Sequence, residues 1–260
     1  MKKIALITGA TSGIGEACAR RFAIGGYDLI LTGRNQNKLD ALKKQLIEEE
    51  GIDVKLLCFD VRDRDAATAA VASLDGKWRD IDVLINNAGL ALGLEKEYEG
   101  NPDDWATMID TNIKGLLTMT RLIVPHMVER NRGHVINMGS VAGDAAYAGG
   151  NVYCATKAAV KSITDGLRID LAETCVRVTN IKPGLVETNF SVIRFHGNED
   201  KADSIYKGIH PLNGDDIADV AFYAASAPEH VQIAEVLVLA THQASGSVIS
   251  KDPNRIESLS

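Results

Sequence analysis

The chain has 260 residues, and its hydrophobic content of 45% suffices for the core of one large α/β domain or two small ones. Its 28 basic and 35 acidic residues give a net charge of −7 without a long basic cluster, which argues against nucleic acid and anionic membranes as partners. The four cysteines form no Cys-x-x-Cys pair and the six histidines no ligand cluster, which predicts reduced thiols in the cytoplasm and no metal site.

Short runs rich in Val, Ile and Leu alternate along the chain with longer amphipathic stretches. This order predicts a parallel sheet with helices on both faces, and the nearly continuous apolar runs indicate strands buried on both sides. No composition break divides the chain, so we predict one doubly wound (Rossmann) domain over residues 1–250 and a polar tail over 251–260. No apolar run could span a bilayer. The seven predicted strands are residues 3–8, 28–32, 54–59, 81–85, 134–138, 177–181 and 236–239.

A glycine-rich turn follows the first predicted strand and leads into an amphipathic helix. Gly9 suits a tight turn, Gly13 a close approach of the backbone to a pyrophosphate, and Gly15 close packing of the helix. The helix N-terminus favours a phosphate, whereas the Lys-Ser/Thr pair of a nucleoside triphosphate loop is missing. We therefore predict a dinucleotide site that includes Gly9, Thr11, Ser12, Gly13, Ile14 and Gly15.

The second strand ends in Thr32-Gly33-Arg34-Asn35, where many NAD-binding chains carry an acidic residue for the ribose hydroxyls. Gly33 leaves room, and the guanidinium of Arg34 suits a 2′-phosphate, so we predict NADP as the cofactor, with Arg34 and Asn35 beside the phosphate. A surface arginine without a partner is the alternative.

Polar groups also follow the third and fourth strands, at the sheet edge where ligands of such folds lie. Asp60 and Val61 follow the third strand, and Asn87, Ala88 and Gly89 follow the fourth. We expect them to support the cofactor and to meet an adenine amine, although Asn-Ala-Gly is also an ordinary turn sequence.

Tyr153 and Lys157 stand four residues apart, so on a helix they share one face, and Ser140 ends an apolar run upstream. Useful phenolate near neutral pH needs roughly 3–4 kcal/mol of help. One ammonium at about 5 Å supplies about 3 kcal/mol before desolvation, so the pair makes more sense beside a cationic cofactor. A chance Tyr-x-x-x-Lys is expected roughly a third of the time in this composition, so the pair needs support from elsewhere in the chain.

The longest irregular stretch is residues 185–212, which is too long for a plain connection. We interpret it as a lid over the substrate; an insertion with a packing role, or a disordered one, is the alternative.

Six ordered motifs, TGATSGIG, NNAG, DTN, Ser140, YCATK and KPG, resemble those of the short-chain dehydrogenase/reductase family over nearly the whole chain. The resemblance implies that Ser140 contacts the substrate oxygen, that Tyr153 is the acid or base, and that Lys157 tunes it and binds the ribose. It also implies a relay water on Asn112 and a homotetramer. The segment expected near the nicotinamide contains Pro183, Gly184, Val186 and Thr188.

A narrower resemblance, in NNAGLALG, DWATMIDTNIKGL, MVERNRGHVIN and YAGGNVYCATKA, is to NADP-dependent 3-hydroxy acid dehydrogenases. These act on serine, allo-threonine and related acids such as 3-hydroxypropionate, so Arg194 and His196 become candidates to hold a substrate carboxylate. The alternatives are a reductase of 3-oxoacyl thioesters or of general carbonyl compounds and, in a different class, a nonenzymatic NADP-binding sensor or scaffold.

Overall fold

The computed structural model describes residues 2–252, and its centre is a seven-stranded parallel sheet in the order β3-β2-β1-β4-β5-β6-β7. Each predicted strand overlaps an observed one, which confirms the predicted doubly wound fold. The order reverses between β1 and β4, so a crevice opens beside β1 at the carboxyl edge of the sheet. The strands are β1 (Ile4–Ile7), β2 (Asp28–Gly33), β3 (Val54–Cys58), β4 (Val83–Asn86), β5 (Gly133–Met138), β6 (Val176–Pro183) and β7 (Glu235–Val238).

Helices cover both faces of the sheet. Alternate residues of one strand enter opposite cores: Ile7 joins the cluster under α1, α2 and α9, and Leu6 joins the cluster under α3 and α5. Phe22 and Phe222 pack edge to face, with ring centroids 5.4 Å apart, and so join α1 to α9. The helices are α1 (Gly13–Ile24), α2 (Gln36–Glu50), α3 (Arg64–Ala72), α4 (Pro102–Ile109), α5 (Leu116–Glu129), α6 (Asn151–Asp170), α7 (Phe190–Arg194), α8 (Glu199–Tyr206) and α9 (Gly214–Ser226).

The stretch predicted as irregular, residues 185–212, contains the two short helices α7 and α8. The sequence carried a signal for α8, because the Asn198 side chain caps it by accepting from the backbone N–H of Lys201. The two ends of the stretch are held together, since the Leu212 N–H donates to Leu185 O and the Glu187 N–H donates to Leu212 O. Residues 185–212 thus form a segment whose two ends are hydrogen-bonded to each other.

A π-helical turn, Asp110–Gly115, joins α4 to α5 and is absent from the sequence-based prediction. Within residues 2–252, no helix is long and apolar enough to cross a membrane. Of the predicted polar tail, Lys251 and Asp252 are described: the Lys251 Nζ donates to Ile205 O in α8, and the Asp252 N–H donates to Gly208 O just after α8. The rest of that tail, residues 253–260, lies outside the described residues.

Candidate active site

A cavity of about 540 Å³ opens at the carboxyl edge of the sheet. Its wall runs from the turn after β1, past the ends of β2 to β6, to α7. Four of the predicted site residues, Gly15, Asn35, Asn112 and His196, do not line it. Those that do are Gly9, Thr11, Ser12, Gly13, Ile14, Arg34, Asp60, Val61, Asn87, Ala88, Gly89, Ser140, Tyr153, Lys157, Pro183, Gly184, Val186, Thr188 and Arg194.

The glycines of the first turn are set by its backbone. Gly9 and Gly13 have φ angles of +66° and +54°, a region that side chains rarely adopt. A Cβ at Gly9 would lie 3.0 Å from Ala88 Cα, and a Cβ at Gly15 would collide with the Gly9 carbonyl oxygen. The turn thus lies close against the loop after β4, and the backbone of Gly9 and Gly13 borders the cavity without a side chain.

Thr8, the first residue of the motif TGATSGIG, was not predicted as a site residue, but it holds this turn to the loop after β4. Its hydroxyl accepts from the backbone N–H groups of Asn87 (3.0 Å) and Ala88 (2.9 Å). In return, the Asn87 amide donates to the carbonyls of Thr8 (2.9 Å) and Gly9 (3.3 Å). Two walls of the cavity are therefore held in register by one buried threonine and one asparagine.

The end of the cavity beside β2 carries Arg34, whose side chain is 62% exposed and whose Nη1 lies 3.8 Å from Asp60 Oδ2. Gly33 does not supply the open room expected of it: a Cβ there would lie 2.8 Å from Thr11 Cγ2, so this glycine allows the strand to pass the turn. Asn35 instead caps α2, because its side chain accepts from the Lys38 N–H at 3.1 Å.

Tyr153 and Lys157 lie in the first two turns of α6, as predicted, and both are buried. The Lys157 Nζ donates to Met138 O at 2.8 Å and lies 5.8 Å from the centroid of the Tyr153 ring. Burial lowers the pKa of Lys157 to about 8. The same ammonium is thus near the phenol and fixed at the end of β5.

Burial raises the pKa of the Tyr153 phenol above its ordinary value, and Tyr147 adds to the rise. The Ser140 hydroxyl and the Arg194 guanidinium act in the opposite direction. The sequence-based estimate found the Lys157 ammonium marginal even before desolvation. In the structure desolvation is the largest influence on this pKa, because the phenol lies among apolar groups such as the ring of Phe190, 5.7 Å away.

Ser140 lies at the end of β5, beside the same phenol. Its Oγ accepts from the Ala142 N–H at 3.1 Å and donates to Pro183 O at 3.5 Å. The second contact is long for a hydroxyl donor, so the hydroxyl hydrogen is free to turn to a better acceptor in the cavity.

Asn112 lies in the π-helical turn behind the cavity wall and is buried. Its Oδ1 accepts from the Leu90 N–H at 2.9 Å, and its Nδ2 donates to Leu90 O at 2.8 Å and to Thr156 Oγ1 at 3.0 Å. The amide therefore fastens the loop after β4 to α6. The proposed relay water would use the second lone pair of Oδ1.

The two candidates for a carboxylate contact differ in placement. Arg194 is buried and lines the cavity, whereas His196 is exposed, hydrogen-bonds with its Nε2 to Asp104 Oδ2 at 3.1 Å, and does not line the cavity. Tyr147 and Gln243 also line the cavity, and neither was predicted as a site residue. Tyr147 is the first residue of the motif YAGGNVYCATKA, close to Tyr153 along the chain, whereas Gln243 comes from the segment after β7, which carries no motif.

Comparison with known proteins adds an independent observation. The family model described as short chain dehydrogenase matches residues 3–198. An NADP-dependent 3-hydroxy acid dehydrogenase of Salmonella typhi is 52% identical over 241 residues, which cover 92% of this chain and 96% of the relative. The enzyme of the same name from Schizosaccharomyces pombe is 44% identical over 242 residues, 93% of each chain.

Solved structures are similar along the same length. A serine dehydrogenase in its closed form with NADP+ has a TM-score of 0.89 and 46% identity, covering 95% of this chain and 98% of its own. The serine dehydrogenase from Escherichia coli has a TM-score of 0.80 and 44% identity, covering 93% and 99%. These findings confirm the resemblance seen in the motifs: the chain belongs to the short-chain dehydrogenase family.

Proposed function

We propose that the protein is an NADP-dependent dehydrogenase that interconverts a small 3-hydroxy acid, of the serine, allo-threonine or 3-hydroxypropionate type, and its 3-oxo acid. One observation carries the proposal: Ser140, Tyr153 and Lys157 border one end of a cavity whose other end is bordered by the glycine turn and Arg34. The names of the relatives, a 3-hydroxy acid dehydrogenase and a serine dehydrogenase, support the substrate class.

The cavity suits a dinucleotide phosphate in the features that the backbone fixes. Gly9 and Gly13 present bare backbone at positions where a side chain would be strained, at the N-terminus of α1. Arg34 provides the cation for the 2′-phosphate, with Thr11 beside Gly33. Asp60, Asn87 and the segment from Pro183 to Thr188 complete the proposed cofactor contacts.

When bound in this cavity, NADP+ would supply the hydride acceptor for the carbinol carbon, and NADPH would supply the hydride donor for the reverse reaction. Tyr153 as phenolate accepts the hydroxyl proton in oxidation and donates it back in reduction. Ser140 Oγ donates a hydrogen bond to the reacting oxygen and so stabilises charge that develops there. Lys157, held by Met138 O, places its ammonium beside the phenol, and Asn112 holds the loop and the relay water.

We also propose that residues 185–212 close over the substrate. The hydrogen bond that joins the two ends of this segment, between Leu212 and Leu185, supports this. So does the placement of α7, whose Phe190, Ile193 and Arg194 border the cavity. The rest of the proposal follows the family resemblance and the unpaired cysteines: one domain over residues 1–250, acting in the cytoplasm as a homotetramer. Sedimentation equilibrium at micromolar protein tests the tetramer.

An NADP-linked screen tests the proposed function. The purified protein is offered serine, allo-threonine and 3-hydroxypropionate in parallel with simple secondary alcohols and, in reduction, with 3-oxoacyl thioesters, and formation or loss of NADPH is followed by absorbance. We expect the highest kcat/KM with a 3-hydroxy acid. A preference for the thioester or the simple alcohol would transfer the protein to the corresponding reductase class, and no turnover with any of them would favour a sensor.

A further inference from the structure

Arg194, the last residue of α7, carries a guanidinium with one unused edge. The side chain is 8% exposed and borders the cavity. Its Nε donates to Gly93 O at 3.1 Å and its Nη1 donates to Tyr147 Oη at 3.0 Å. Its Nη2 is buried and has no hydrogen-bond partner within residues 2–252. The guanidinium is thus held on two sides, and its remaining nitrogen is a buried donor without a partner among the described residues.

The charge of this group is also uncompensated by its contacts, since both hydrogen-bond partners are neutral. A buried positive charge is ordinarily paired, because removal of an ion from water is costly unless a counter-ion or hydrogen bonds replace the solvent. The planar fork of an arginine matches the two oxygens of a carboxylate. An anionic ligand in the cavity would therefore satisfy both the free donor and the charge.

The position of the guanidinium limits which anion can use it. Arg194 Cζ lies 5.7 Å from the centroid of the Tyr153 ring and 5.6 Å from that of Tyr147. A ligand that touches both Arg194 and the Tyr153 hydroxyl needs its carboxylate and its carbinol separated by a short carbon spacer. A thioester, or an acid whose carboxylate lies many carbons from its carbinol, would have no anion at that point.

The other cations near the cavity are engaged or far from this place. The Lys157 ammonium donates to Met138 O, and Arg34 lies at the β2 end beside Asp60. His196 is exposed and bound to Asp104. Arg194 is the basic group that combines burial, a free donor and proximity to the phenol.

We propose that Arg194 is the residue that binds the substrate carboxylate, with Nη2 as the free donor and Tyr147 as the positioning residue that orients the guanidinium. This rests on the proposed function and deepens it: the arginine selects short hydroxy acids over alcohols and esters of the same carbon skeleton.

The test compares 3-hydroxypropionate with its methyl ester, which lacks the charge, in wild type, Arg194→Met and Arg194→Lys. Arg79→Met, at an exposed position in the turn before β4, is the matched control. We expect Arg194→Met to lower kcat/KM for the acid by about 100-fold or more, mainly through KM, which corresponds to about 2.8 kcal/mol at 1.4 kcal/mol per tenfold. The ester should change by less than about threefold, and Arg194→Lys should fall between. Equal losses for acid and ester would reduce Arg194 to a structural role, and an unchanged acid would overturn the proposal.

A second measurement separates this inference from the proposed function. Equilibrium dialysis of 3-hydroxypropionate against the NADPH-loaded protein reports binding without turnover. We expect binding in wild type and Arg79→Met that is weakened about 100-fold in Arg194→Met. Binding that depends on Arg194, without any turnover in wild type, would reject the proposed reaction and support Arg194 as the carboxylate-binding residue. Binding that is absent, or that is the same with and without Arg194, would reject this role of Arg194.

Discussion

Replacement of Thr8 by valine tests how the cavity is held together. Valine has nearly the shape of threonine, so the change removes the hydroxyl and little else. The Thr8 side chain, at the end of β1, accepts from the Asn87 and Ala88 N–H groups at 3.0 and 2.9 Å and donates to Ile85 O at 3.3 Å. Both N–H groups belong to the loop that also carries Gly89.

The expected cost follows from what the lost hydroxyl leaves behind. The Ala88 N–H loses its acceptor in a site where Thr8 itself is 2% exposed, whereas the Asn87 N–H keeps its contact to Ile85 O at 3.0 Å. One unsatisfied donor costs about 1–3 kcal/mol, so Thr8→Val should lower the free energy of unfolding by about 1–3 kcal/mol. The carbonyl of Ile85 also accepts from the Thr8 N–H, so the loss of its weak contact to the hydroxyl adds little.

The strand next to β1 offers a matched control. Thr32, at the end of β2, is fully buried and its Oγ1 has no partner within residues 2–252. Thr32→Val should therefore be neutral or stabilising, because it removes a buried hydroxyl that forms no hydrogen bond. Urea titration of both variants, with equal m values, reports the difference in the free energy of unfolding. If the two variants are equally stable, the reasoning about the threonine clamp is refuted.

Three further predictions concern other parts of the chain. Gly15→Ala should lose cofactor binding and stability because the new Cβ meets the Gly9 carbonyl, whereas Gly166→Ala, in open space on α6, should stabilise the protein by about 0.5–1 kcal/mol. Urea denaturation of both variants checks this, and a Gly15→Ala variant as stable as wild type would contradict it. Arg34→Glu should lower kcat/KM for NADP by about 10- to 100-fold and leave kcat/KM for NAD nearly unchanged. Steady-state kinetics with the two cofactors check this, and equal losses with NADP and NAD would show that Arg34 does not bind the 2′-phosphate. Burial and the charge of Arg177 lower the pKa of His134 to about 3, compared with about 6.5 in the unfolded chain, so the free energy of unfolding should fall as the pH drops from about 6.5 toward 3. His134→Gln should make the free energy of unfolding, measured by urea titration, depend less on pH in that range. The same pH dependence in the variant and in wild type would contradict the assignment.

The sheet was predictable because a parallel strand buried on both faces leaves a continuous apolar run, as in Leu29 to Leu31. The glycine turn was predictable because its strand, glycines and helix are adjacent along the chain. The short helices α7 and α8 were harder to foresee, since their stability comes from contacts such as the Ser191–Tyr206 hydrogen bond rather than from a long apolar repeat.

The site was less predictable where it depends on burial or on distant segments. Gln243 reaches the cavity only through the tertiary fold, because it lies in the segment after β7. The direction of the Tyr153 pKa depends on how far the phenol is removed from water, which spacing along a helix does not contain. Likewise, Gly33 suggested open space from composition, whereas its neighbour Thr11 fills that space.

Oxidation of a 3-hydroxy acid by wild type and Tyr153→Phe is the most direct test of the central claim, that Tyr153 moves the substrate proton in an NADP-linked reaction. The variant keeps the ring and removes the hydroxyl, so NADPH binding, followed by fluorescence, should stay within about threefold of wild type. Turnover with NADP+ and 3-hydroxypropionate should fall by about 100-fold or more, in line with the loss of a general base. Turnover in Tyr153→Phe close to that of wild type, with the cofactor bound, would contradict the account.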